Sequence, residues 1–302
     1  DFRIYPQEEE TQLKKAISNY LQISKDCITI GNSSDEVMER VIRIFLEPGN
    51  SAVTFTPTFT VFKYCVEYQG SKFVSIPLKN DFSVDIEKMK KTFTPQARLL
   101  YLCSPNNPTA NQISLQDIQT LIEEFPGIVL VDEAYGEYVD YSVVPLINKY
   151  ENLVVLRTFS KAFSLAGLRL GYAIANPQLA KTLNKTPAPY PVNVISLSMG
   201  KKMIENINLM KDSVAALKLE RGKLINSLNK IKGIKAFDSK ANFVLFETEK
   251  PFEQVYEAAL SRGLVIKKLG KLLGYENCLR TTVGLPEMNA RLVTVLKEFM
   301  EK

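Results

Sequence analysis

Lys161 is the residue whose surroundings most clearly indicate covalent chemistry. It follows an apolar run at 153–157 and lies among small and apolar residues in the segment 158–168. Lysines in apolar surroundings have lowered pKa values and serve as nucleophiles that form Schiff bases. Arg169 follows this segment and supplies a cation near the amine. A surface lysine in a loop is the alternative interpretation of the same pattern.

Polar residues also follow two other apolar runs that we predict as strands. Asp132 and Tyr135 come after the run at 128–131, and Asn107 comes after the run at 98–103. Open α/β sheets bind ligands outside the carboxyl ends of their strands, so we expect these side chains to gather at one edge. A carboxylate there could hold a protonated heterocyclic nitrogen, or it could pair with a structural arginine.

The segment 31–36 has the composition of a helix start that could also bind an anion. Ser33 and Glu36 have the spacing of a capping box, which predicts the helix start itself. Backbone N–H groups of the first turn, at Ser33, Ser34 and Asp35, could bind a phosphate because the helix dipole favours negative charge. A phosphate site, a carboxylate, a phenol, an amide and a lysine amine together form the set that pyridoxal 5′-phosphate (PLP) requires.

Composition excludes several other kinds of function. The 302 residues contain no histidine, which excludes a Ser-His-Asp triad and a His-ligated metal. No GxGxxG or GxxxxGK[ST] motif follows a predicted strand. Lys and Arg number 38 against 33 Asp and Glu, but they are scattered, so we predict no nucleic-acid partner. No apolar run is long enough for a membrane span. The four cysteines lack metal spacing, which predicts free thiols, no metal and a cytoplasmic location.

Alternation of apolar runs with helical patterns predicts an α/β fold with a mostly parallel, doubly wound sheet. We expect an N-terminal segment with a helix packed on the small domain (1–26), a large PLP-binding domain (27–200) and a smaller C-terminal α+β domain (201–302). Predicted strands are 51–55, 72–76, 98–103, 128–131, 153–157, 170–175, 243–246, 264–267 and 278–283. Predicted helices are 7–22, 35–46, 57–68, 86–93, 114–125, 200–231, 252–262 and 287–300.

The order and spacing of these motifs resemble the fold-type I PLP-dependent aminotransferases. Within that family the chain is most similar to the histidinol-phosphate aminotransferases, and the resemblance covers essentially the whole sequence. The most specific segment is 160–169, which contains Lys161. Other matching segments are 3–6, 31–36, 57–59, 104–109, 131–135 and 278–284. Departures include Ala110, where the family usually has glycine, and Lys267, where it commonly has an arginine.

The resemblance implies a role for each matching residue. Lys161 would bind PLP covalently and carry the proton, Asp132 would pair with the ring nitrogen, and Tyr135 and Asn107 would bind the ring oxygen. The remaining implied cofactor contacts are Ser33, Ser34, Asp35, Phe59, Ser160, Arg169 and Tyr5. Of these, Phe59 would stack on the ring, and Tyr5 would reach the site of a second subunit, which implies a homodimer. Arg280, Lys267 and Asn107 would bind substrate.

The implied reaction is transamination of L-histidinol phosphate with 2-oxoglutarate, which gives imidazole-acetol phosphate and L-glutamate in histidine biosynthesis. Three alternatives remain open at the level of sequence. A lyase similar to threonine-phosphate decarboxylase would use the same frame, and an aminotransferase for aromatic or acidic amino acids would use the same fold. A non-enzymatic PLP protein is disfavoured because Lys161, Asp132, Tyr135 and Arg280 are all present.

Overall fold

The computed structural model describes residues 3–185 and 189–301, and its larger sheet contains seven strands. The strands are β1 (Ile28–Gly31), β2 (Ser51–Thr56), β3 (Lys72–Pro77), β4 (Ala97–Cys103), β5 (Ile128–Asp132), β6 (Leu153–Thr158) and β7 (Gly171–Ala175). They lie in the order β1-β7-β6-β5-β4-β2-β3, and β7 runs antiparallel to the other six strands of this sheet, which are parallel to one another. The predicted α/β fold with a mostly parallel sheet is confirmed.

Helices cover both faces of this sheet, which explains its continuously apolar central strands. The helices are α1 (Gln7–Leu21), α2 (Ser33–Phe45), α3 (Thr60–Tyr68), α4 (Ile86–Lys90), α5 (Leu115–Glu124), α6 (Pro177–Asn184), α7 (Val194–Glu205) and α8 (Ile207–Leu228). One buried cluster joins α2, α3 and α6 to the sheet, and another joins α1, α4 and α5 to its other face. Helix α1 contacts α7 and β1, and its Leu13 and Ile17 belong to the core of the large sheet.

The C-terminal part of the chain forms a second, antiparallel sheet. Its elements are β8 (Ile234–Ala236), β9 (Phe243–Thr248), α9 (Phe252–Leu260), β10 (Lys267–Leu272), β11 (Tyr275–Thr282) and α10 (Pro286–Met300). The strand order is β10-β11-β9-β8, and α9, α10 and the end of α8 pack on it in a separate apolar cluster. The two sheets agree with the predicted combination of a large α/β part and a small α+β part.

Several local predictions differ from the structure, including the helices predicted at 57–68 and 86–93, which span Thr60–Tyr68 and Ile86–Lys90. The strand predicted at 264–267 instead begins at Lys267, because the alternating, charged segment 267–272 pairs with β11. The helix predicted at 200–231 is interrupted at Asn206, which separates α7 from α8. The predicted capping box also differs, because Asn32, not Ser33, is the residue before α2, and Glu36 accepts a hydrogen bond from the Asn32 N–H at 3.2 Å.

Candidate active site

A cleft opens at the carboxyl ends of β4, β5 and β6 and at the first turn of α2. Ten of the predicted residues line it, namely Ser33, Ser34, Asp35, Phe59, Asn107, Asp132, Tyr135, Ser160, Lys161 and Arg169. Cys103, Ala134 and Thr158 complete the lining. The parallel strand ends therefore bring together side chains that are far apart in sequence.

Lys161 lies in the loop after β6, where it is only partly exposed. Its Nζ lies 5.6 Å from the centroid of the Tyr135 ring. Burial, followed by the positive charge of Arg280, lowers the pKa of the Lys161 amine. The carboxylates of Asp35 and Asp132 oppose this shift. The amine is therefore more readily neutral, and hence more nucleophilic, than an exposed lysine.

Asp132 is the last residue of β5, and it is buried. Its Oδ2 accepts a hydrogen bond from the Tyr101 hydroxyl at 2.7 Å, and its Oδ1 accepts one from the Ala134 N–H at 3.0 Å. Burial raises the pKa of Asp132 to about 6, while these two hydrogen bonds and the nearby Lys161 act in the opposite direction. The side chain is therefore a carboxylate at neutral pH, but it is more basic than an ordinary aspartate.

The first turn of α2 forms one end of the cleft. The Arg169 Nη2 lies 3.0 Å from the Asp35 Oδ2, which places the guanidinium beside this turn. Gly171 also contacts the turn, because a Cβ at this position would lie 2.2 Å from the Ser34 nitrogen. Ser160 also lines the cleft, and its backbone N–H donates a hydrogen bond to the Thr158 Oγ1 at 3.1 Å. Backbone N–H groups and a cation thus converge as an anion site requires.

Aromatic rings and an amide form the sides of the cleft. Phe59 immediately precedes α3, and Tyr135 packs edge-to-face on Phe243 of β9 at 5.3 Å between ring centroids. The Asn107 side-chain oxygen accepts a hydrogen bond from Arg280 of β11. The Arg280 guanidinium carbon lies 4.5 Å from the centroid of the Phe243 ring. The small sheet therefore contributes a cation next to the cleft.

The other predicted substrate and subunit contacts lie outside the cleft lining. Lys267 of β10 is exposed, and it pairs with Arg280 across the two antiparallel strands. Directly opposite residues share a face of a sheet, so the Lys267 side chain is on the same face as Arg280. Tyr5 is 73% exposed, and its ring stacks on Tyr190 at 4.8 Å. Within the described part of the chain, Tyr5 therefore does not reach this cleft.

A buried ion cluster lies next to the cleft, between β6 and the segment after β5. Arg157 of β6 contacts Glu133 at 2.8 Å and Glu137 at 2.6 Å, and all three side chains are almost completely buried. Arg157 also donates to the Ser142 hydroxyl at 2.9 Å. The cluster ties the strand that leads to Lys161 to the segment that carries Asp132 and Tyr135. Breaking such a buried pair would leave a charge without compensation.

Sequence reasoning missed several residues that shape the site. Cys103 and Thr158 end their strands at the edge where ligands bind, and that position was a usable signal. Tyr101 carries no such signal, because a tyrosine inside an apolar strand is typical of the core. The close approach of Gly171 to α2 depends on tertiary packing, which the sequence does not display.

Among residues 3–185 and 189–301, no group of three or more Cys, Asp or Glu side chains is placed to hold a metal ion. No helix in those ranges is both long and apolar enough to cross a membrane.

Comparison with known proteins agrees with this geometry. The chain belongs to the class I and II aminotransferases, because the family model described as "Aminotransferase class I and II" matches residues 1–296. It is similar in particular to proteins named histidinol-phosphate aminotransferase. The one from Thermoanaerobacter pseudethanolicus is 37% identical over 298 residues, which cover 98% of this chain and 84% of that protein.

Solved structures show the same fold. The histidinol-phosphate aminotransferase from Clostridium acetobutylicum has a TM-score of 0.91 at 25% identity, and the match covers 99% of this chain and 91% of that one. The enzyme of that name from Sinorhizobium meliloti, solved in complex with pyridoxal-5′-phosphate, has a TM-score of 0.91 at 24% identity. That match covers 100% of this chain and 84% of the Sinorhizobium chain.

Proposed function

We propose that this chain is a PLP-dependent aminotransferase that exchanges the amino group of L-histidinol phosphate with 2-oxoglutarate. The products are imidazole-acetol phosphate and L-glutamate, and the reaction belongs to histidine biosynthesis. The observation that carries the proposal is the pairing of a partly buried amine, Lys161, with a buried carboxylate, Asp132, in one cleft. The aminotransferase family and relatives at 33–37% identity named for this activity support it.

The residues of the cleft fit PLP by their chemistry. A phosphate matches the N–H groups at Ser34 and Asp35 together with the Arg169 cation. A pyridine nitrogen matches Asp132, and an aromatic ring matches the face of Phe59. The aldehyde matches the Lys161 amine, which burial makes more readily neutral. Tyr135 and Asn107 supply a hydroxyl and an amide for a ring oxygen.

When bound, PLP supplies an aldehyde that exchanges amino groups and a ring that accepts electrons from the substrate Cα. The Lys161 Nζ then serves as the base that takes and returns the Cα proton, since its pKa is lowered toward the working pH. Asp132 holds a positive charge on the ring nitrogen because an opposite charge favours the protonated form. This chain needs no histidine for the proton transfers.

Arg280, Asn107 and Lys267 are the proposed substrate contacts. The Arg280 guanidinium has the forked geometry that binds a carboxylate or a phosphate through two hydrogen bonds. The hydrogen bond to Asn107 and the Phe243 ring fix its position next to the cleft. Lys267 lies on the same sheet face and would add a second cation for the phosphate of histidinol phosphate.

The functional unit that we propose is a cytoplasmic homodimer. Tyr5 and Ile4 are strongly exposed near the start of the described chain, so this segment is available to reach a second subunit. The cysteines that the structure describes are all free thiols, as a reducing compartment would keep them. Sedimentation at assay concentration should therefore show a dimer, and an active monomer would contradict a site shared between subunits.

The test of the reaction is a panel of amino donors offered to the PLP-loaded protein. Loss of the cofactor's visible absorption band with L-histidinol phosphate, and its return with 2-oxoglutarate, would support the proposal. Good activity on aromatic or acidic amino acids without use of histidinol phosphate would assign a different aminotransferase. Release of carbon dioxide from threonine phosphate would assign the lyase. Borohydride reduction followed by peptide mapping should label Lys161 alone.

A further inference from the structure

The Tyr101 side chain reaches Asp132 from behind the cleft. Tyr101 lies on β4 and is fully buried, and it does not belong to the cleft lining. Cys103 pairs directly with Asp132 across β4 and β5, and Tyr101 shares the face of Cys103 because residues two apart on a strand point the same way. From there its hydroxyl donates to the Asp132 Oδ2 at 2.7 Å.

Both partners of this hydrogen bond are fixed in place. The Tyr101 ring stacks on Phe62 of α3, with 4.2 Å between centroids and 11° between planes. The Asp132 carboxylate cannot rotate freely either, because its other oxygen accepts from the Ala134 N–H. Each oxygen has one donor from the protein, and a carboxylate oxygen has a further lone pair for a ligand.

We infer that Tyr101 is the positioning residue that holds Asp132 as a carboxylate in one orientation, so that a shared proton stays on the ring nitrogen of bound PLP. The inference rests on the proposed function, because Asp132 meets a ring nitrogen only if PLP binds. Its physical basis is that a hydrogen bond donated to the charged form of an acid stabilises that form. Without the hydroxyl, the carboxylate would be a stronger base and would compete with the nitrogen for the proton.

The remaining groups around Asp132 do not supply the same effect. Burial opposes the charged form, and the Asp35 carboxylate on α2 opposes it as well. Lys161, in the loop after β6, favours the charged form of Asp132. Its amine, however, is the group proposed to bind PLP covalently. The titratable groups that interact electrostatically with Asp132 are Asp35, Tyr101, Cys103, Tyr135 and Lys161. Of these, Tyr101 alone donates a hydrogen bond to the carboxylate among the described residues.

The first test measures the titration of Asp132 by ¹³C NMR in apoprotein labelled at aspartate carboxyl carbons. The signal that disappears in Asp132→Asn gives the assignment. Tyr101→Phe, which keeps the ring, should raise the Asp132 midpoint by about one to two pH units, the size expected for a lost hydrogen bond to a charged group. Tyr172→Phe is the matched control, because Tyr172 is equally buried and its hydroxyl has no partner among the described residues.

The second test follows the proton in the loaded protein. ¹⁵N NMR of bound PLP labelled at the ring nitrogen should show a protonated nitrogen in the wild type and in Tyr172→Phe, and loss of that proton in Tyr101→Phe. If Tyr101→Phe does not fold, 3-fluorotyrosine placed at position 101 replaces it. Its more acidic hydroxyl is a stronger donor and should lower the Asp132 midpoint instead.

The outcomes separate this inference from the proposed function. An Asp132 midpoint that stays within roughly 0.3 pH units of the wild-type value, well below the expected shift, would overturn the role of Tyr101. An equal shift in Tyr172→Phe would also overturn it, because any buried hydroxyl would then serve. Failure of the wild type to bind PLP would instead refute the proposed function, whatever the titration of Asp132 shows.

Discussion

Arg280 on the small sheet donates a hydrogen bond to the side-chain oxygen of Asn107, which lies beyond β4 of the large sheet. The bond joins two parts of the chain that are separated by most of its length. It holds the guanidinium next to the cleft before any substrate arrives, so the cation does not have to be ordered at that moment. The position of this proposed substrate contact therefore depends on how the two sheets are packed.

Lys267 should affect histidinol phosphate selectively. Lys267→Ala should raise the KM for histidinol phosphate about tenfold, because it removes one of the two cations proposed to bind the phosphate. The effect is not larger, because an exposed cation contributes less than a buried one. The glutamate half-reaction should be almost unchanged. Arg280→Ala should damage both half-reactions. Single-turnover kinetics with each donor would measure the difference.

Lys268→Ala is the matched control for Lys267. The neighbouring strand residue points to the opposite face, and its ammonium lies 4.4 Å from the centroid of the Tyr256 ring. Equal small effects of both substitutions on both donors would remove Lys267 from the substrate site.

Lys161 should react with amine reagents faster than an exposed lysine when the apoprotein is labelled at pH 8. Its pKa is lowered first by burial and then by Arg280, so a larger fraction is neutral. Arg280→Gln should reduce the Lys161 rate, because removal of a nearby positive charge raises the pKa of the amine. Competitive labelling read by mass spectrometry, with exposed Lys202 as internal reference, checks this. An unchanged rate in Arg280→Gln would show that the two charges do not interact.

Asp132 should destabilise the apoprotein at neutral pH. Burial raises its pKa from 3.8 to about 6, so the folded state keeps a proton that the unfolded state loses between these values. Unfolding therefore becomes easier as the pH rises from 4 to 6, and the cost is constant above that range. Asp132→Asn has no such pH-dependent cost, so its stability relative to wild type should increase by up to about 3 kcal/mol between pH 4 and pH 8.

Urea unfolding at pH 4, 6 and 8 would measure this effect. The stability difference between Asp132→Asn and wild type should grow with pH over this range. Asp140→Asn is the control, because a hydrogen bond from Lys218 lowers the pKa of this exposed acid and gives the opposite sign. The same Asp132→Asn protein should lose about 100-fold or more in kcat, while its PLP affinity changes much less.

Gly171 should be required for cofactor affinity. A Cβ at this position would lie 2.5 Å from the Ser33 carbonyl carbon as well as 2.2 Å from the Ser34 nitrogen, so Gly171→Ala must displace the first turn of α2. PLP affinity of the apoprotein, measured by titration, should fall at least about tenfold if one or two N–H contacts to the phosphate are lost. Gly167→Ala, whose Cβ would meet nothing within 4 Å, should bind PLP normally. Normal binding by both variants would show that this turn does not hold the phosphate.

The sequence predicts the architecture well where patterns are local. The apolar run 128–131 and its neighbours indicate buried parallel strands, and the structure contains them. The direction of β7 is not visible in its composition, because an apolar strand covered on both faces looks the same in either direction. The strand at 267–272 is not predictable from composition, because its charged residues and Gly270 are atypical of a strand. It forms because this segment pairs with β11.

The candidate site was predictable to the extent that strand ends mark it. Asp132, Asn107 and Lys161 follow apolar strands, and the rule for open α/β sheets places them at one edge. Arg280 comes from a different sheet, and only the resemblance to a known family pointed to it. Tyr101 was not predictable, because its hydrogen bond depends on the lateral register of β4 and β5, which no local pattern encodes.

The buried cluster of Arg157, Glu133 and Glu137 joins two walls next to the cleft, β6 and the loop after β5, into one cooperative unit of local unfolding. Opening the loop after β5 alone would leave the Arg157 charge unpaired in the interior, and moving β6 alone would do the same to the two glutamates. Amide hydrogens on both walls should therefore exchange with solvent through the same rare opening. A mutation that destabilises one wall should therefore also speed amide hydrogen exchange in the other.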